Sequence, residues 1–365
     1  MGETVRSVER QDVAAIADMF ARVFLKQRSA PAAGLAHYFD DILFPRSASG
    51  EAPRSRVFVD AKGAIRGFIG VWPRRMVMGG RTIEAAAAGS MMVDMPQEHP
   101  TAGARLLRAF LSGPQDLSFS ETANDISQRM WERVGGERLP TISLDWLRIL
   151  RPAGFAVAAM GRSFRPAWML RPAASGVDRV IEAAGANRFL PTGELSGFHD
   201  ADATHEEMLE LVPALSQSYQ LRPDWQSPAL PLLLAHAEAK ERFGRLYRRV
   251  VYSRAGAPVA CYLYHARPGD TARVLQVLAL PEATSVALDS LLRHAASLGC
   301  VGVRGRAEPA LFDALVSRRC VFYHGAAMVV HSRSKALIEE VRSSRALLTG
   351  LAGESWNRLI GGSFA

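Results

Sequence analysis

Met91-Met92-Val93-Asp94-Met95-Pro96-Gln97-Glu98-His99-Pro100-Thr101-Ala102-Gly103-Ala104-Arg105-Leu106-Leu107 reads as a strand, a compact polar loop and a helix with small residues in its first turn. The first amides of a helix lack intrahelical partners and carry partial positive charge, so such a terminus suits a pyrophosphate. Gly103 would let the backbone approach two anionic groups without a side chain in the way, and Arg105 would add a charge contact. The same arrangement also occurs as a plain βα connection.

Upstream, Arg56–Asp60 and Ala64–Val71 alternate as strands, and a ribbon continues through Met78 to Gly79-Gly80, a strong hairpin signal. The next strand runs over Arg81–Asp94, with the alanines 85–88 as weak strand formers. Before these strands, Ile16, Met19, Phe20 and Val23 share a helical stripe, with Asp12 as N-cap, and 33–43 forms a second helix. After the opening segment come a short strand near 116–120, a helix over Asn124–Val134 stopped by Gly135-Gly136, and a strand in 139–150 expected to close the first domain. Helices, strand hairpins, helix, strand, helix and strand then recur in outline. The expected fold class is therefore α/β, with mixed, mainly antiparallel central sheets in two tandem domains. The expected boundaries are 1–150, a connecting segment 151–204, a second domain 205–347 and a tail 348–365.

A chain of 365 residues divides into about two domains at ~150 residues each. Three cysteines, Cys261, Cys300 and Cys320, give neither a disulfide scaffold nor a metal cluster, and His37, His99, His199 and His205 lack zinc spacing. No metal is expected. The formal charge of +8 is modest for this length and does not point to DNA. The first residues lack the pattern of a signal peptide and no apolar run reaches a membrane-spanning length, so a cytoplasmic protein without stable membrane insertion is expected. Homo-oligomerisation is left open.

The strand–loop–helix segment resembles the acyl-coenzyme A (CoA) binding core of the GCN5-related N-acetyltransferase superfamily. That family's Arg/Gln-x-x-Gly-x-Gly/Ala loop falls on Glu98, Thr101 and Gly103, so two positions depart from the pattern. Ser118–Gly136 is similar to the family's strand, Asn, helix, Tyr-x-x-x-Gly-Phe succession. Asn124 stands at the helix start, Trp131 at the usual tyrosine and Gly136 where phenylalanine is common. The resemblance spans residues 1–150 well and 210–335 more loosely.

What the resemblance implies is acyl transfer, with acetyl-CoA or another acyl-CoA as the thioester donor and a small amine as acceptor. The implied donor-binding set is Met92, Val93, Asp94, His99, Thr101, Ala102, Gly103, Ala104, Arg105 and Asn124. The implied catalytic set is Glu84, Ser90, Asp94, Asn124 and Trp131. Period two places Glu84 on one face with Ala86, Ala88, Ser90, Met92 and Asp94, unless a bulge intervenes; on that register Glu84 is the candidate base, with Asp94 the weaker choice. Tryptophan is no general acid, so Trp131 leaves the leaving thiolate without its usual proton donor. The second domain has only Leu280-Pro281-Glu282-Ala283-Thr284 at the corresponding loop, without glycines. It is expected to be a degenerate copy that covers the acceptor face, with Tyr262, Tyr264, His265, Tyr323 and His324 as candidate pocket edges. Two other classes fit the same residues: a noncatalytic CoA- or nucleotide-binding regulatory protein, and a transferase that takes its group from aminoacyl-tRNA.

Overall fold

The structure is a computed structural model and describes residues 2–27, 33–44, 53–161, 164–184, 189, 191, 195–225, 229–362 and 364. The first half contains β1 (Thr4–Ser7), α1 (Val13–Val23), α2 (Ala33–Leu43), β2 (Arg56–Val59), β3 (Ile65–Met78), β4 (Arg81–Val93), α3 (Ala102–Leu111), β5 (Leu117–Ala123), α4 (Asp125–Arg133), β6 (Glu137–Arg138) and β7 (Leu144–Ile149). Two helices follow, α5 (Pro152–Met160) and α6 (Arg171–Ala183). Next are β8 (Phe198–Asp202), α7 (His205–Leu215), β9 (Leu221–Pro223), α8 (Ala229–Glu238), β10 (Arg245–Ser253), β11 (Pro258–Ala266) and β12 (Thr271–Ala279). The last elements are α9 (Thr284–Ser297), β13 (Gly302–Arg306), α10 (Phe312–Ser317), β14 (Val321–His324), β15 (Ala327–Ser332) and α11 (Lys335–Arg342).

The strands form two mixed, mainly antiparallel sheets. The first runs β1-β2-β3-β4-β5-β15-β6, with β9 added along the end of β3; the second runs β14-β7-β13-β12-β11-β10-β8. Gly79 and Gly80 adopt the left-handed backbone that the tight β3–β4 hairpin needs, with Met78 opposite Arg81. In each sheet one helix bridges a parallel pair: α3 joins β4 to β5, and α9 precedes β13 beside β12. The core faces follow the stripes in the sequence. Ile16, Met19 and Phe20 of α1 and Leu106, Leu107 and Phe110 of α3 are buried. Asp12 does not cap α1 with its side chain; its carboxylate takes the Arg6 guanidinium at 2.6 and 2.8 Å and the Glu9 amide at 2.8 Å.

The strand over 144–149 does not close the first sheet. β7 lies between β13 and β14 in the second sheet, while β15 enters the first sheet between β5 and β6. The two halves thus exchange a strand. Leu139 and Ile142 pack in the first core and Trp146 and Leu150 in the second, so the chain changes cores at Ser143. There the Ser143 hydroxyl donates to the Leu139 carbonyl at 2.6 Å and accepts from the Met328 amide at 2.9 Å, tying the two crossing segments together. Each large apolar side chain buried this way contributes about 1.5–3 kcal/mol.

The segment after α11 is core. Leu347, Leu348, Leu351, Trp356 and Leu359 are buried against side chains of α1, α2, α7 and α8. The three cysteines are free thiols, two of them buried. No helix among the described residues is long and apolar enough to cross a membrane, and none of their His, Cys, Asp and Glu side chains cluster as a metal site.

Candidate functional site

β4 and β5 pair side by side only from Ala85 opposite Leu117 to Ala87 opposite Phe119. Beyond that point they part and leave a V-shaped gap. On the other side of β4, Phe68 faces Met92 but Gly70 faces Gly89, so three steps on β4 match two on β3. This bulge holds Ser90 at φ +52°, a left-handed backbone costly for a residue with a side chain, and drops Ser90 and Met91 out of both ladders.

The gap opens into a cleft of about 590 Å³. β4 contributes Gly89 to Val93, β5 contributes Ser120, Thr122 and Ala123, and α4 contributes Met130 and Trp131. His99, Pro100 and Gly103 form one end, before and within the first turn of α3. Gly103 packs closely: a β-carbon there would lie 3.3 Å from the Met130 sulfur. Asn124, at the cleft edge, caps α4 by accepting the Ser127 amide at 2.9 Å.

At the apex of the V sits Glu354, a residue of the C-terminal segment. Its Oε1 accepts from Ser120 Oγ (2.8 Å), Thr122 Oγ1 (2.7 Å), the Thr122 amide (3.1 Å) and the Glu121 amide (3.2 Å), all on β5. Its Oε2 is buried with no protein partner and lies where a β-carbon on Gly89 would be. Glu121 reciprocates. Its carboxylate accepts the Glu354 and Ser355 amides at 2.6 Å each and the Gly350 amide at 3.1 Å. Arg74, buried, donates to the carbonyls of Ala352 and Gly353 and lies over the Trp356 ring. The tail thus places one carboxylate behind Gly89, Ser120 and Thr122, which line the cleft; Glu354 itself is fully buried and is not part of the lining. Burial, reinforced by the Glu121 charge, pushes Glu354 up to about 7 from the ordinary carboxylate value.

A raised carboxyl pKa means the folded chain holds a proton that the unfolded chain has released between pH 4.5 and about 7. Stability from this group is therefore lost as pH rises through that window. The difference in melting temperature between the Glu354→Gln variant and wild type is expected to move in favour of the variant from pH 5 to pH 7.5. A difference that stays constant across that range would remove the buried, shifted carboxyl.

Several residues singled out in the sequence lie elsewhere. Glu84 is exposed, roughly 16 Å along β4 from Gly89 at the strand rise per residue, and its amide is held by Asp116 at 3.0 Å. The bulge also breaks the period. Ala86 and Ala88 share a core with Met91 and Val93, whereas Ala85, Ala87 and Met92 face the other core. Asp94 is engaged by Arg22 at 3.2 Å and Arg66 at 3.4 Å and does not line the cleft. Arg105 points to Glu3, donating to its carboxylate at 2.9 Å and its carbonyl at 2.8 Å, and stacks over Phe58. Thr101, Ala102 and Ala104 do not line the cleft, and the Ala102 amide donates to the His99 carbonyl at 3.1 Å. Trp131 is buried edge-on against Phe110 and faces the cleft. Tyr262 and Tyr264 are committed to Ser290 and His294 inside the second core; His265 and Tyr323 wall a neighbouring cavity, and His324 lines neither space. Glu354 was not foreseen. Its signal is a lone acid in the apolar run Leu347-Leu348-Thr349-Gly350-Leu351-Ala352-Gly353-Glu354.

No protein-family model matches the sequence, and no curated protein matches it. Solved structures do resemble the fold. A protein of unknown function from Enterococcus faecalis V583, described as a probable N-acyltransferase, superposes with a TM-score of 0.60 at 10% identity over 91% of this chain and 73% of its own. A GCN5-related N-acetyltransferase from Anabaena variabilis ATCC 29413 gives 0.59 at 11% identity, covering 90% and 72%. Another from Kribbella flavida gives 0.53 at 14% identity, covering 90% and 71%. The chain has a GCN5-related N-acetyltransferase-like fold.

Proposed function

We propose that the chain is an acyl-CoA-dependent N-acyltransferase that moves an acetyl or longer acyl group from a CoA thioester to a primary amine. The observation that carries the reading is a buried carboxylate, Glu354, with one unpartnered oxygen at the apex of the gap between β4 and β5. In this reading the pantetheine arm lies along the splayed strands, against the bulged backbone at Ser90 and Met91. The pyrophosphate lies at the start of α3, where Gly103 admits close approach and the first amides supply donors. Thr101 and Ala104 act there through their backbone, while the Ala102 amide holds the His99 carbonyl.

A neutral amine attacks the thioester carbon, forming the C–N bond, and the C–S bond breaks. Glu354, with its value near neutrality, takes the proton from the attacking nitrogen through Oε2. The same proton can then pass to the departing thiolate, whose conjugate thiol is the weaker acid, so that Glu354 ends the cycle ionised as it began. This removes the need for a donor at Trp131. Glu84 and Asp94 have no part in it. A second reading, a CoA-binding protein without turnover, draws support from Trp131 alone.

Calorimetric titration of the full chain with acetyl-CoA, a longer acyl-CoA and free CoA tests the reading. Saturable binding at one site is expected, and Gly103→Trp is expected to weaken it about tenfold or more by filling the cleft beside Met130 and Val93. A folded protein that binds none of the three would overturn the reading. Binding without thiol release in the presence of any amine would favour the noncatalytic one.

A further inference from the structure

Thr122 and Ile360 line the donor cleft and also a second cavity of about 440 Å³ between the two sheets. β5 and the C-terminal segment wall it on one side, and β7, β12 and β13 on the other. Thr122 is the residue whose hydroxyl and amide hold Glu354, so the cavity meets the donor cleft beside the proposed base.

The charge in this cavity is one-sided. Lys240, Arg273, Arg304 and Arg306 line it, against the single carboxylate of Asp145. Asp145 lies 3.4 Å from Arg304 and 3.6 Å from Arg306, and Arg306 also donates to the carbonyls of Ala326 and Glu121. Lys240 and Arg273 flank the Phe243 ring, 5.5 and 4.0 Å from its centroid. Lys240 is 3% exposed, gives its ammonium to the Ser355 carbonyl and has no ion-pair partner among the described residues. Burial brings it down to about 7, with the charge of the buried Glu121 opposing the shift and that of Arg273 adding to it. His265 adds no negative charge; burial holds it neutral, down at about 4, with Nε2 on the Ala237 carbonyl. Arg273 and Arg304 also wall an adjoining hollow of about 320 Å³ with Arg171 and Arg242, where Asp270 is taken up by Arg171 at 3.3 Å.

We infer that the acceptor is an amine that also carries an anionic group, a carboxylate or a phosphate, held in this cavity by Lys240, Arg273 and Arg304 while its nitrogen reaches past Thr122 toward Glu354. The inference rests on the acyl-transfer reading. An anion supplies the direct ion-pair partner that the buried Lys240 does not have among the described residues, and desolvated cations bind anions far more strongly than exposed ones do. The same surroundings disfavour a second positive charge, so a bound ammonium loses its proton more readily and becomes the nucleophile. A polycationic acceptor has nothing to offset the four basic side chains.

The test compares three amines of similar size on the full chain: ethanolamine, β-alanine and phosphoethanolamine. Binding is read by calorimetry with and without free CoA, and transfer by thiol release from acetyl-CoA. At least one anionic amine is expected to bind and react about tenfold or more better than ethanolamine, and the β-alanine and phosphoethanolamine arms tell carboxylate from phosphate. Lys240→Met and, at the more exposed position, Arg304→Gln are each expected to cut that preference severalfold. Equal use of all three amines, or a preference that survives both variants, would overturn the inference. Acetyl-CoA titrated on the same samples separates the two failures. Donor binding without anion preference sinks only the acceptor class, whereas anion binding without any donor binding sinks the acceptor role together with the transfer reading.

Discussion

Glu354→Gln is expected to lower kcat for acetyl transfer by about 10²- to 10⁴-fold, the range that a positioned base supplies, with little change in acetyl-CoA affinity. Glutamine keeps the oxygen that accepts from Ser120 and Thr122 and replaces only the atom that would carry the proton. Wild-type kcat is expected to rise through about pH 7 as Glu354 ionises, and this limb is expected to vanish in the variant. Glu84→Gln, altered at an exposed position far from the gap, is expected to leave both the rate and the limb intact. A Glu354→Gln enzyme with wild-type turnover, or one that retains the limb, would assign the proton transfer to another group.

The second large effect is expected from a single methyl group. Gly89 has an ordinary backbone conformation, so alanine there costs nothing in φ; the cost is steric. Its β-carbon would overlap Glu354 Oε2 and lie 3.2 Å from Trp72 Nε1. The carboxylate cannot retreat easily, because four donors on β5 hold its other oxygen and Glu121 holds the amide of the same residue. Overpacking of this kind costs about 1–3 kcal/mol, which thermal melts resolve as a loss of a few degrees, and activity is expected to fall with the displaced carboxylate. The double variant Gly89→Ala with Glu354→Ala discriminates. The two changes are expected to be strongly non-additive in melting temperature, because removing the carboxylate makes room for the methyl. Additive losses would mean that the two residues do not meet.

Local features of the fold were legible because local chemistry sets them. Gly79-Gly80 makes a hairpin wherever strands flank it, and the stripes of α1 and α3 bury the faces that their spacing marks. The strand exchange was not legible. β7 and β15 each read as a strand, but which sheet each joins depends on partners more than a hundred residues away, and Trp146 and Val330 would fit either core by composition. The strand–loop–helix around Gly103 was readable from its residues, but the buried carboxylate proposed as the base was not. Ser90 gives no glycine to announce the bulge that reverses the register assumed for Glu84. Glu354 comes from the far end of the chain, where a lone acid among leucines is the only mark it leaves. The basic cavity is likewise assembled from Lys240, Arg273, Arg304 and Arg306, each unremarkable in its own segment.

In the proposed reaction the gap between β4 and β5 holds an acyl-CoA with its thioester at Glu354. A crystal structure of the full chain grown with acetyl-CoA tests it most directly. The pantetheine is expected beside Ser90–Met92 and Ala123–Asn124, next to the carboxylate that fills the space between Gly89 and Ser120–Thr122, with the pyrophosphate at the first turn of α3 and the thioester carbon close enough to Glu354 for an attacking nitrogen to bridge them. Acetyl-CoA bound at any other place, or in the gap with its thioester turned away from Glu354, would contradict it.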